Sequence, residues 1–120
     1  MLDLIIKNGK CYIDKDLKDV DIGIQKSKIV KIGRLDEDAR KSIDASGLTV
    51  LPGCIDTQTH FREPGSTDTE DLASGSRAAI VGGITSVFEM PNTNPATTNK
   101  AEFQRKIDLA KNRMYCNHAF

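Results

Sequence analysis

Neither sign of charge is in excess: 17 Lys and Arg stand against 17 Asp and Glu, for a net charge of zero. A chain without a basic surplus lacks the electrostatic footprint of a nucleic-acid or membrane-surface binder. No apolar run approaches the roughly 18 residues of a spanning helix. The opening Met1-Leu2-Asp3-Leu4-Ile5-Ile6 also lacks the basic segment and long apolar stretch of a signal peptide. There is no Cys-x-x-Cys pair. Cys11, Cys54 and Cys116 are an odd, widely spaced set, which reads as reduced, mostly buried thiols of a cytoplasmic protein. Gly82-Gly83 is accompanied by no Gly-x-Gly-x-x-Gly and no Walker lysine, so nucleotide binding is set aside. What is present, in 120 residues that are 38% hydrophobic, is room for one modest core.

The first fifty residues read as short strands and tight turns. Leu2 to Lys7 leads into Asn8-Gly9, a dipeptide suited to a hairpin because both residues tolerate positive φ, with Lys10 to Ile13 as the return strand. Val20 to Gln25 alternates apolar with polar or small residues, the period of a half-buried strand, and Lys28 to Gly33 follows after a turn at Lys26-Ser27. At Pro52-Gly53 the pattern changes. Cys54 to Thr57 is a short strand running into the polar stretch Gln58 to Gly65. Thr67-Asp68-Thr69-Glu70 has the form of a capping box opening a helix, which Gly82-Gly83 ends. Ile84 to Phe88 is a near-continuous β-branched run with the look of a strand covered on both faces. Asn99 with Glu102 caps a second helix, whose Phe103, Ile107, Ala110 and Met114 share a face, and Tyr115 to Phe120 begins another strand.

Strand, helix, strand, helix, strand is the repeat that builds parallel sheets, open or closed. The expected fold is α/β: residues 1–51 as a small β-sandwich part, then residues 52–120 as the first two strand–helix units of an incomplete TIM-like barrel. A closed barrel takes about eight such units and roughly 250 residues, so the chain is read as the amino-terminal part of a longer protein.

In parallel α/β units functional groups collect at the C-terminal ends of the strands. Two loops hold that place here. In the first, residues 58, 60 and 62 alternate, so Gln58, His60 and Arg62 share one face of an extended segment. An imidazole beside a guanidinium suits a metal or acid–base group next to an anion clamp, or a hydrogen-bonded His beside a surface Arg. The second, Pro91-Asn92-Thr93-Asn94-Pro95, is either a turn or a loop aiming Asn92 at a ligand. Thr93 reads as a turn-stabilising hydroxyl, Glu63-Pro64-Gly65 as a loop-shaping segment, and Cys54 as a core thiol. Asp56 is an acceptor that buttresses the His60 loop or a strand-end turn carboxylate.

Pro52-Gly53-Cys54-Ile55-Asp56-Thr57-Gln58-Thr59-His60-Phe61-Arg62-Glu63-Pro64-Gly65 resembles the first-strand motif of the dihydroorotase branch of the amidohydrolase superfamily, Pro-Gly-x-Ile-Asp-x-His-x-His-x-Arg-Glu-Pro-Gly. Glu89 to Pro95 is similar to that family's second loop, and Arg62 and Asn92 lie 30 positions apart, as in the longer class of these enzymes. The resemblance implies a small β-sandwich before a metal-dependent barrel. It implies a cyclic amide hydrolase that interconverts N-carbamoyl-L-aspartate and dihydroorotate in pyrimidine biosynthesis by metal-activated hydroxide. Carried over, His60 is a metal ligand, and Arg62 with Asn92 holds the substrate carboxylate. The cofactor is zinc, one ion or two.

One position departs from the pattern. Gln58 stands where the family has its first metal histidine, and a neutral amide oxygen suits hard cations better than zinc. No catalytic residue is expected within this chain: the bridging lysine, two further histidines and the aspartate base belong to later strands, and His118 is read as structural. Alternatives are a catalytically silent homologue that partners aspartate transcarbamoylase, or an allantoinase- or dihydropyrimidinase-type hydrolase. The expected partners are thus a small cyclic amide bearing a carboxylate, with a second copy of the chain or aspartate transcarbamoylase as protein partner.

Overall fold

A computed structural model describes all residues from Met1 to Phe120, and the chain divides into two compact units, Met1–Pro52 and Gly53–Phe120. No helix is long and apolar enough to cross a membrane.

The first unit is a five-stranded sheet. Its strands are β1 (Leu4–Ile13), β2 (Asp16–Gln25), β3 (Lys28–Gly33), β4 (Ser42–Asp44) and β5 (Thr49–Val50). They run in the order β3-β2-β1-β4, with β5 also on β1. β1–β2 and β2–β3 are antiparallel, whereas β4 and β5 join β1 in parallel. The hairpin expected at Asn8-Gly9 is not there. β1 continues through it, and the turn comes at Asp14-Lys15, both at positive φ like Lys26-Ser27 in the next hairpin. Asn8, at φ 62°, makes a bulge, marked by the register shift between Ile6 and Gly9. Two contacts favour the bulge over a turn. Asp21 Oδ1 accepts from the Asn8 N–H at 2.9 Å, and a Cβ on Gly9 would lie 2.7 Å from Val50 Cγ2. Leu2, Ile5 and Leu35 form the core of this unit.

The second unit is β6 (Cys54–Thr59), α1 (Leu72–Val81), β7 (Ile84–Glu89), α2 (Lys100–Ala110) and β8 (Asn117–Ala119), with a parallel sheet in the order β6-β7-β8. This is the α/β alternation the sequence predicts. Its core is Phe61, Leu72, Val87, Ala110 and Cys116. α1 begins later than the Thr67–Glu70 signature suggests. Those residues turn back on themselves, with Thr69 and Glu70 N–H groups donating to Ser66 O, and Asp71 is the cap. Asp71 and Ser74 form a reciprocal capping box, Ser74 N–H donating to Asp71 Oδ1 at 2.7 Å and Asp71 N–H to Ser74 Oγ at 3.0 Å.

The second helix starts where expected, with Glu102 N–H donating to Asn99 Oδ1 at 3.0 Å. Its buried residues are not the expected stripe, however. Lys106 and Ala110 are buried, Phe103 and Ile107 are exposed, and the helix ends before Met114. In β7, Val87 and Glu89 are buried while Phe88 is 47% exposed, so only one face of the strand is covered in this chain. Cys11 and Cys116 are buried free thiols. Cys54, expected in the core, is exposed, because it opens β6 at the sheet's N-terminal end, away from the helices' apolar contacts.

Candidate active site at the strand ends

The first loop leaves β6 at Thr59, and its alternation survives into three dimensions. Phe61 turns inward, with its ring against Gly75 of α1, where a Cβ would stand 2.6 Å from Cδ1. With Phe61 fixed inside, His60 and Arg62 project the other way: His60 is half-buried and Arg62 exposed. Glu63 is buried and holds the loop by three bonds. Its Oε2 accepts from the Leu72 N–H at 2.9 Å, and Arg113 donates to both carboxylate oxygens, at 2.7 and 3.0 Å. Burial pushes the Glu63 pKa up, but the Arg113 and Leu72 donors outweigh it and leave it below the usual carboxylate range. The segment therefore shapes the loop, as its sequence suggests.

The second loop leaves β7 at Glu89 and lies against the first. Met90 N–H donates to Thr59 O at 2.9 Å and Asn94 N–H to Pro64 O at 3.0 Å. Gly65, at φ 123°, lets Asn94 approach: a Cβ there would sit 2.9 Å from Asn94 Cβ. Thr93 stabilises the turn, its hydroxyl donating to Pro95 O at 3.0 Å.

This pairing joins His60 to Asn92. The imidazole Nδ1–H donates to Asn92 Oδ1 at 2.8 Å, which leaves the lone pair on Nε2. An imidazole oriented through one nitrogen and free at the other has the form of a metal ligand with its supporting partner. Arg62 enters no ion pair, and Asn92's recorded partner is His60, not the guanidinium. Gln58 is exposed, and its N–H donates to Asp56 Oδ1 at 2.9 Å beside the register shift between Asp56 and Thr59. Asp56 thus serves its own strand end and not His60. His118 lies on β8, exposed and 5.4 Å from the Phe120 ring. No group of three or more His, Cys, Asp or Glu side chains is arranged to hold a metal ion. His60 fits a ligand role, and Gln58 supplies at most a neutral oxygen.

Two residues to which the motifs assign no role sit at the root of the second loop. Glu89 and Lys106, both buried, form an ion pair, and Lys106 Nζ donates to Met90 O at 2.9 Å. Burial raises the Glu89 pKa, opposed by Lys106 and more weakly by His60 and Arg62. The signal was a lysine between Phe103 and Ala110 on the packed face of α2, and a carboxylate closing an apolar strand.

Residues 49–116 match the model of the amidohydrolase family. The chain is 45% identical over 113 residues to the allantoinase of Escherichia coli (strain K12), a match covering 93% of this chain and 25% of that protein. Among solved structures it resembles the L-hydantoinase (dihydropyrimidinase) from Arthrobacter aurescens, with 32% identity and a TM-score of 0.86 over 99% of this chain and 27% of that one. The D-hydantoinase (dihydropyrimidinase) from a Thermus species follows at 30% identity and a TM-score of 0.80, over 98% and 26%. The chain spans about a quarter of the length of these relatives. These relatives carry the names allantoinase and hydantoinase, where the motif pointed to dihydroorotase. Two paired strand-end loops, and a family match that contains both, place the chain in the amidohydrolase family.

Proposed function

We propose that this chain contributes the first part of the active site of an allantoinase-type hydrolase, which opens a cyclic ureide by cleaving a ring C–N bond. The reading rests on the His60–Asn92 pair: an imidazole at a strand end, held by Nδ1, with Nε2 unengaged. The likeness to an allantoinase at 45% identity supports the substrate class. His60 would hold a metal through Nε2, with Gln58 beside it as a neutral oxygen donor. Bound there, zinc would lower the pKa of a water to about 7 and polarise the ring carbonyl. The chain's own groups act around that chemistry: Asn92 keeps the imidazole in one tautomer, and Arg62 offers two parallel donors to the carboxylate that ring opening releases.

The test is ring opening by the full-length protein, supplied separately with zinc, manganese and cobalt, on allantoin, hydantoin and dihydroorotate. Allantoin turnover at the highest kcat/KM is expected. No turnover of any ring with any metal would remove the reading.

A second reading, dihydroorotase, is favoured by Arg62, since an unpaired guanidinium suits a ring that already bears a carboxylate. A kcat/KM for dihydroorotate above that for allantoin would select it. Gln58 favours a silent homologue that acts as a structural partner of aspartate transcarbamoylase. Stoichiometric metal in the purified wild-type protein would count against that third possibility.

A further inference from the structure

The Glu89–Lys106 pair is a poor device for stability alone. Both side chains are almost wholly excluded from water, at 0% and 1% exposure, and desolvating two charges consumes most of what their attraction returns. Apolar residues of similar volume would hold α2 against β7 at least as well. The pair also leaves something unused: Glu89 Oε1 is buried with no hydrogen-bond partner.

Its position gives it a use. Glu89 is the last residue of β7, next to Met90 and three residues before Asn92, and Thr59, its register partner on β6, immediately precedes His60. Lys106 Nζ donates to the Met90 carbonyl at 2.9 Å and lies 5.3 Å from the centroid of the Phe120 ring. From this root the chain runs through Pro91 to Asn92, whose Oδ1 holds the His60 ring.

We propose that Glu89 and Lys106 are positioning residues for this site. Lys106 fixes the root of the loop that carries Asn92 by its bond to the Met90 carbonyl, and Glu89 pins the Lys106 ammonium at that carbonyl, so that Asn92 meets the His60 ring. The inference rests on the ring-hydrolase reading for its kinetic readout only.

The test uses full-length protein in three forms: Glu89→Gln, Lys106→Met and the double variant. The measurements are kcat and KM on allantoin, the melting temperature, and zinc affinity of the metal-depleted protein in competition with a chromogenic chelator. Glu89→Gln preserves shape and should weaken zinc affinity by about tenfold, with kcat of the zinc-saturated enzyme changed less than about threefold. Lys106→Met should lower the melting temperature by stranding a buried charge. The double variant should regain that stability while keeping the tenfold binding loss. A purely structural pair behaves differently: the double variant would regain stability and binding together, and that result overturns the proposal. So does wild-type affinity in Glu89→Gln, which decides the matter even if both Lys106 variants fail to fold. Absence of allantoin turnover in wild type is a separate failure. It counts against the proposed reaction, while the zinc affinities still judge the positioning role.

Discussion

An imidazole can offer a lone pair from only one nitrogen once the other carries a proton, so whatever bonds Nδ1 decides what Nε2 can do. In this chain that partner is Asn92, from a different strand end. Asn92→Ala should free the ring and reduce zinc affinity of the full-length protein by about tenfold, the usual scale for losing a group that orients a ligand. Zinc titration against a chromogenic chelator measures it, and an unchanged affinity would show that the ring is fixed by something else. Arg62 makes a sharper prediction about substrate. Arg62→Met should lower kcat/KM for dihydroorotate by at least about tenfold, yet leave a neutral ring such as hydantoin within about threefold. Equal losses on both rings would mean that Arg62 does not act on a carboxylate the substrate already bears, but on the one that ring opening releases or through the loop. At this scale much was legible in the sequence, because alternation about an inward Phe61 is enough to put His60 and Arg62 on one face. The Asn92–His60 bond was not, since a residue 32 positions away reaches the ring only through loop–loop packing at Gly65 and Asn94. Glu89 and Lys106 escaped for a related reason. Each looks like an ordinary surface charge until the partner that makes its burial tolerable is known.

Elements are set by local signals, and here several competed. Asn8-Gly9 has turn chemistry, yet the nearby two-residue turn at Asp14-Lys15 takes the hairpin, and Asn8 spends its positive φ on a bulge secured by Asp21. Thr67 to Glu70 has capping chemistry, yet the helix waits for Asp71, because the Leu72 N–H is already claimed by Glu63 and Ser74 completes the box. In both places the sequence offers two valid starts, and a long-range carboxylate chooses between them. Propensity cannot see that choice. The contact between the loop after β6 and α1 has no such competition and gives a clean test. At Gly75, an added methyl would enter the Phe61 ring, 2.6 Å from Cδ1 and 2.8 Å from Cε1. Helix propensity alone favours Ala over Gly by about 1 kcal/mol. Overpacking in a close-fitted core costs about 1–3 kcal/mol and acts against it. Gly75→Ala should therefore be destabilising on balance by chemical denaturation, and should perturb activity through the His60-Phe61-Arg62 segment. A stabilised variant would mean that the Phe61 ring relaxes freely and does not anchor the loop.

For the whole chain, a net charge of zero conceals an uneven placing of its carboxylates. Asp21 in the first unit is held below the usual carboxylate range by the N–H groups of Leu35 and Asn8, and Glu63 in the second by the donors that overcome its burial. Asp44 and Asp71 are lowered as well, through bonds to Ser46 and Ser74. Glu89 alone is raised, by burial. The linkage has a definite sign. A carboxylate with a depressed folded pKa contributes stability that is fully present above its unfolded value near pH 4 and is lost as pH falls through the folded one. Glu89 acts the other way, since protonation relieves its burial, but it is one group against four. Stability should thus be level above about pH 5 and fall steadily below about pH 4. Asp21 supplies the discriminating variant, because it bridges the β1 bulge and the segment after β3 through both its oxygens. Asp21→Asn keeps one acceptor and loses the charge, so it should melt lower at pH 7 and yet show a shallower decline in acid. Melting curves from pH 7 to pH 2 for the two proteins should converge as the native Asp21 protonates; curves that stay parallel would show that the acid response originates in other groups.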